Sequence, residues 1–315
     1  MRLFLPLALS IALMCPHTCE AKTHPNHVAA IQAYHSTIDL ADPVNDALKA
    51  KARGRQVLVV FDIDNTLLTM PQDLGSDTWF NWQKSLIATD TPDGNAAFED
   101  LILNNTALLQ IGQLKPTQSD TASLINKLQA RHIPIYALSA RGTDLRGATE
   151  AALKANGIDL SSAPECGLPL CSRRGNLGEA QVRAAARNAR IPLPTVGFKP
   201  FTISDGVVMS AGQNKGLLLA LLLKSLPGKA YTDVWFVDDT FHNITDVQNA
   251  APLMTVRVHL YSYERFWPDS VAFMKDKARQ TKTDVDFSRI RETLCTAMQA
   301  ALCITPFHSD GQPAQ

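Results

Sequence analysis

Lysine and arginine together number 30 in these 315 residues, and aspartate and glutamate also number 30, so the chain has no excess charge of either sign. Without a basic field, nothing holds a nucleic acid or an anionic membrane over a wide footprint. Any recognition of an anion has to be local. No cysteine or histidine pair stands at the spacing a zinc site uses, which argues against that metal. Beyond the N-terminal stretch no apolar run is long enough to cross a bilayer, and there is no internal repeat or low-complexity tract. The composition, 45% hydrophobic, is that of a chain that buries a core as one large domain or two modest ones.

The N-terminus reads as an export signal. Arg2 supplies a positive start, Leu3 to Met14 an apolar stretch too short for a membrane helix, and Cys19-Glu-Ala21 a small-residue cleavage site. Cleavage near Ala21 would put the mature chain in the periplasm or outside the cell, with no stable membrane insertion. Lipid attachment at Cys15 or Cys19 is the rival, disfavoured by Met14 and Thr18 before those cysteines. Of the six cysteines, Cys166, Cys171, Cys295 and Cys303 would remain. An even number in an exported protein favours disulfides. Close spacing suggests Cys166 with Cys171 and Cys295 with Cys303, although the sequence permits three connectivities.

What the chain does have is acid at the ends of apolar runs. Val57-Leu-Val-Val-Phe61 leads directly into Asp62-Ile-Asp64-Asn-Thr66, and Val234-Trp-Phe-Val237 leads into Asp238-Asp239, with Asn243 and Asp246 close behind. One such pair is explained as well by a turn or a helix cap. Two are not. If the runs are adjacent strands of one parallel sheet, four carboxylates crowd a single mouth and repel by several kcal/mol at low effective dielectric. A cation among them relieves this, and all-oxygen ligation favours Mg²⁺.

Two more elements fit the same site. Ile133 to Leu138 is a strand-like run ending in Ser139-Ala-Arg141-Gly142, which delivers a hydroxyl at its tip. Gly212-Gln-Asn-Lys215-Gly216 precedes the helical Leu217 to Lys224. A lysine at a helix N-terminus opposes the macrodipole unless an anion shares the site.

Asp62-Ile-Asp64-Asn-Thr66, Ser139, Lys215 and Asp238-Asp239 stand in the order of the four motifs of the haloacid dehalogenase superfamily, which the chain resembles from about Val57 to Tyr261. Leu74-Gly-Ser-Asp-Thr-Trp79-Phe-Asn-Trp82 is similar to a small group of secreted bacterial members of that superfamily with no assigned function. The resemblance implies a doubly wound, Rossmann-like parallel α/β sheet with a small helical cap inserted after the first motif. It also implies phosphomonoester hydrolysis. Asp62 would be the nucleophile that forms an aspartyl-phosphate, and Asp64 the proton donor that later activates water. Thr66 would support the first motif, Ser139 would bind a phosphoryl oxygen, and Lys215 would balance negative charge. Asp62, the carbonyl of Asp64, and one or both of Asp238 and Asp239 would hold Mg²⁺, with Asp239 favoured as direct ligand and Asp238 closer to Lys215. Asn243 or Asp246 would stand where the family often has a further acid. Aspartate at the second position is what the superfamily's phosphatases have and its dehalogenases lack.

The expected organisation is a signal peptide at 1–21, a lead-in at 22–56, a catalytic core at 57–67 and 116–280, a cap at 68–115, and a C-terminal helix and tail at 281–315. The lead-in is expected to be helical at Asn26 to Tyr34 and Val44 to Ala52. Further helices are expected at Ser119 to Arg131, Thr143 to Asn156, Leu177 to Arg190 and Asp286 to Leu302. A hairpin is expected to turn at Asp205-Gly206, and a strand at Leu253 to Tyr261. Arg141 either reaches a phosphate or makes a surface ion pair, and His242 either lines the site or lies on a solvated loop. Trp79, Phe80 and Trp82 either stack on a substrate or form the cap's own core. Two other functions are carried beside hydrolysis of a small phosphorylated substrate or phosphoprotein. One is phosphoryl transfer to an alcohol; the other is a non-catalytic exported binding or effector protein.

Overall fold

The computed structural model describes residues 31–87, 91–167, 177–194, 197–226 and 231–298. The expected signal peptide lies outside them, as does the start of the Asn26 to Tyr34 segment. Strand β1 (Ile31–Thr37) and helix α1 (Ala41–Ala52) lead to β2 (Val57–Phe61), an unbroken apolar run buried along its whole length, as a strand covered on both faces must be. An insertion follows. It leaves through β3 (Leu68–Thr69), forms α2 (Asp77–Ser85) and α3 (Pro92–Ile111), and returns through β4 (Lys115–Pro116), which pairs antiparallel with β3. The chain then runs through α4 (Thr121–Gln129), β5 (Ile135–Ser139), α5 (Arg146–Ala155), α6 (Glu179–Ala189), β6 (Thr202–Ser204), β7 (Val207–Met209) and α7 (Lys215–Ser225). It closes with β8 (Asp233–Asp238), α8 (Phe241–Ala250), β9 (Arg257–Tyr263), α9 (Trp267–Lys275) and α10 (Lys277–Met298).

Seven strands form one sheet in the order β1-β9-β8-β2-β5-β7-β6, parallel except for β6 against β7. Asp205 and Gly206, both at positive φ (48° and 75°), make the tight β6–β7 turn expected of that dipeptide. β2 is central: Phe61 lies opposite Ala137 of β5 on one side and Val237 of β8 on the other. The chain winds outward from β2 to β5 and β7, then comes back to β8 and β9 on β2's other flank. This reversal makes the crevice beyond the carboxyl ends of β2 and β8 the natural ligand position of an open parallel sheet.

Alternate residues of the strands feed two cores. Leu58, Val60, Leu138 and Phe236 face α6, α7 and α8, while Val59, Phe61, Ala137 and Val237 face α1, α4 and α5. A third cluster joins the insertion to the C-terminal helices through Trp79, Trp82, Leu101, Phe273 and Phe287.

Three sequence expectations are corrected. The stretch expected to be helical up to Tyr34 is strand from Ile31, because β9 offers an edge whose backbone groups need partners and pairing overrides the helical preference of an alanine-rich run. The last strand begins at Arg257 rather than Leu253, since Ala251–Leu253, with Pro252 in it, takes a 3₁₀ turn. The C-terminal helix begins at Lys277 rather than Asp286, and α9 precedes it.

Candidate active site

β2, β5 and β8 deliver their carboxyl-terminal residues to one place. The backbone N–H of Asp62 donates to the carbonyl of Val237 at 2.8 Å, which locks the two acidic ends in register. Asp62, Asp238 and Lys215 are all buried. Lys215 Nζ lies 2.5 Å from Asp62 Oδ1 and 2.8 Å from Asp238 Oδ2, so one ammonium ties the two strand ends together. Burial opposes its charge, but Asp238 and Asp62 outweigh that and raise its pKa above the ordinary lysine value. Burial drives the Asp62 carboxyl above the usual carboxylate range, with Asp238 and Asp64 adding to the effect and Lys215 opposing it.

Lys215 reaches this position because α7 starts against α8. The Asn214 side chain caps the helix, accepting from Leu217 N–H at 2.9 Å. Gly216 has no room for a side chain: a Cβ there would lie 2.0 Å from the carbonyl oxygen of Asp246. The Asp246 carboxylate lies beside the Lys215 backbone and the Asn214 side chain at the start of this helix. Asn243 donates to Asp238 Oδ1 at 2.9 Å, as does Thr240 N–H. Asp238 is therefore fully engaged by protein donors. Asp239 accepts from Thr240 Oγ1 at 3.1 Å and is not in contact with Lys215. Asp62, Asp238 and Asp239 each place a carboxylate oxygen within 4.8 Å of the others. This all-oxygen set, with crowded charge, fits a hard divalent cation.

Asp64 takes a different course. Arg141 clamps it with two charge-assisted bonds, Nε to Oδ2 at 2.9 Å and Nη2 to Oδ1 at 2.7 Å, while Nη1 donates to Thr149 at 2.8 Å. Arg141 is thus neither on the surface nor free to meet an anion while this fork is closed. Ser139 ends β5 with its hydroxyl buried and accepting from Arg141 N–H at 3.2 Å. Thr66 is buried, its hydroxyl without a hydrogen-bond partner among the described residues. Its carbonyl accepts from Thr117 at 2.6 Å, which ties the first motif to the end of the insertion.

One site residue escaped the sequence reading. Asp77, the first residue of α2, lines the cleft beside Asp239. Burial, then the neighbouring Asp64 and Asp238, push its carboxyl up to about 6, and Asp77 is in turn the foremost charge raising Asp239. In sequence it looks like an ordinary first-turn acid behind the N-cap Ser76. The aromatic residues near it resolve toward structure. Trp79 and Trp82 are buried against Phe287 and Phe273, with ring centroids 5.7 and 5.6 Å apart, and Phe80 packs on Phe98. His242 is exposed on the solvent side of α8. Cys166 is buried and disulfide-bonded. Cys171, Cys303 and the Cys295 side chain lie outside the described residues, so both expected pairings remain expectations.

Fold and site together define an α/β protein with a mostly parallel sheet and an acidic, lysine-bridged cluster at the carboxyl ends of its central strands. The family model for proteins of unknown function designated DUF2608 matches residues 37–296, and the chain belongs to that family. No curated protein matches the sequence.

Proposed function

We propose that the chain is a Mg²⁺-dependent phosphomonoester hydrolase of haloacid dehalogenase type. The observation that carries the reading is the Lys215 bridge between Asp62 and Asp238 at the ends of two adjacent parallel strands, with Asp64 and Ser139 on the same rim. Four separated stretches of sequence supply these groups. A fold-only role gives no reason to gather like charges.

In the reaction the Asp62 carboxylate attacks phosphorus and the ester P–O bond breaks, leaving an aspartyl-phosphate and an alkoxide that takes a proton from Asp64. Asp64, now a carboxylate, takes a proton from water as that water attacks phosphorus, which frees inorganic phosphate and Asp62. Both Asp64 oxygens are held by Arg141, so the fork has to open for Asp64 to act. Substrate phosphate, which competes for the guanidinium, provides the means. Lys215 offsets the charge on Asp62 and on the phosphoryl oxygens, and Ser139 donates to one of those oxygens. Mg²⁺ would be held by Asp62, Asp239 and the carbonyl of Asp64, and when bound supplies positive charge to the phosphoryl group. On this reading the leader at residues 1–21 directs the enzyme to the periplasm or beyond, and N-terminal sequencing of the exported product should begin just after Ala21.

The test is hydrolysis of p-nitrophenyl phosphate by the mature protein after chelation and after readdition of Mg²⁺. Activity should vanish and return. Asp62→Asn should lower turnover by several orders of magnitude with the circular dichroism spectrum intact. Full activity in the exhaustively chelated protein would refute the proposal.

A further inference from the structure

A cleft of roughly 490 Å³ opens directly from Asp239. Asp239 is the member of the carboxylate cluster that lines it, and its walls come from α2, the start of α8, and the turn from β9 into α9. A phosphoryl group seated at Asp62 would direct the rest of its substrate here. Two properties of the walls narrow what that remainder is. First, they are aromatic: Phe241, Tyr263, Phe266 and Trp267 all line the cleft. Phe241 is 67% exposed and Trp267 65% exposed, large apolar side chains left in water in the lining of a cleft that also holds Asp239. Second, the formal charge on the walls is all of one sign. Asp77 and Glu264 stand there beside Asp239, and no lysine, arginine or histidine is found among the described lining residues. Glu264 accepts a hydrogen bond from Ser36, which ties the acid to β1.

An aromatic wall with carboxylates and no cation repels a leaving group that carries further phosphate or carboxylate. It attracts a positively charged one, through the ring faces and through Coulomb attraction together. Resting on the hydrolase reading above, we infer that the substrate is the phosphate monoester of an amino alcohol. Its phosphate sits at Asp62 and Lys215, and its ammonium group sits among Trp267, Phe241 and Glu264. The basic lining that a polyphosphate would need is absent from the described walls.

The experiment compares kcat/KM for phosphocholine, phosphoethanolamine, glycerol phosphate, glucose 6-phosphate and adenosine monophosphate with Mg²⁺ present, in the mature protein and in Trp267→Ala and Glu264→Gln variants. Phosphocholine or phosphoethanolamine should exceed glycerol phosphate by about tenfold or more, and each substitution should draw that ratio toward unity through KM rather than kcat. Binding is measured separately by titrating choline chloride against tryptophan fluorescence at constant ionic strength. Trp267 is the tryptophan left exposed, the other three being buried, so the signal should disappear in Trp267→Ala. Preference for adenosine monophosphate or a sugar phosphate, or a preference unmoved by both substitutions, overturns the inference and leaves the hydrolase reading standing. Choline binding without turnover of any ester upholds the cationic cleft and removes the hydrolase reading. Neither binding nor turnover overturns both.

Discussion

Arg141 and Asp64 form a forked pair at the rim of the site, and the pair governs what either residue does. Arg141→Lys keeps the charge but loses the fork, so the phosphoryl group that takes over the guanidinium when Asp64 is released meets a single ammonium instead. We expect kcat for p-nitrophenyl phosphate to fall at least tenfold while Mg²⁺ affinity, read by isothermal titration, is unchanged, because the Asp64 carboxylate is not in the metal cluster. Asp77 makes a separate prediction. Its folded-state pKa of about 6 lies above the ordinary carboxylate value, so its ionised form is penalised in the fold. For an acid shifted upward, that penalty is absent below the unfolded pKa, grows as pH rises through about 6, and is full above it. Asp77→Asn should therefore raise the melting temperature of the metal-free protein at pH 8, and the gain should shrink toward pH 5. The motif residues were legible in the sequence because each ends an apolar run or begins an apolar helix. Asp77 was not, since only folding the insertion back over the sheet brings a helix's first-turn acid to Asp239. The Arg141 fork was also hidden, as nothing in sequence sets a separation of 77 residues against Asp64.

Among the elements, α7 and α8 position Lys215, and the insertion contributes Asp77 to the lining of the cleft. Gly216→Ala would force apart the close approach of α7 to Asp246, and Lys215, one residue away, would move with it. Turnover should drop although no catalytic side chain has changed, and the crystal structure of the variant should show Lys215 Nζ displaced from Asp238. Trp82 supports the insertion from within, buried against Phe273 of α9. Trp82→Ala should cost about 3–5 kcal/mol of unfolding free energy in urea, the range for emptying a large aromatic site. It should not redirect substrate choice, since Trp82 is not among the residues lining the cleft. The strands β2, β5 and β8 and the helices α4, α5, α6 and α7 could be read from their patterns, because continuous apolar runs and 3.6-residue periodicity each fix one type of element. β1 could not. Its sequence has no strand pattern strong enough to declare itself, and the open edge of β9 decides its conformation.

At the scale of the whole molecule, the insertion and the C-terminal helices belong together. Arg279 of α10 binds Asp73 at the start of the insertion, and Gln83 of α2 reaches Asp284 of α10 at 3.3 Å. The segment expected as a cap and the C-terminal helices share one hydrophobic cluster, and α2 of the one and α9 of the other both line the cleft. Metal should join stability to this architecture. A cation bound only by the native cluster at 100 times its Kd adds about 2.7 kcal/mol. Because the ligands bind it as carboxylates, protons compete. The rise in melting temperature with Mg²⁺ should accordingly be larger at pH 8 than at pH 5.5, and a chelator should abolish it. The central claim, covalent catalysis by Asp62, has one direct measurement. The mature protein is mixed with phosphomonoester and Mg²⁺, quenched in acid within the first turnover, digested at low pH, and its peptides are analysed by mass spectrometry. The account predicts a phosphoryl group on the peptide containing Asp62, lost on standing at neutral pH and never formed by Asp62→Asn. Turnover with no phosphorylated Asp62 at any quench time, or an adduct that persists in Asp62→Asn, would contradict it.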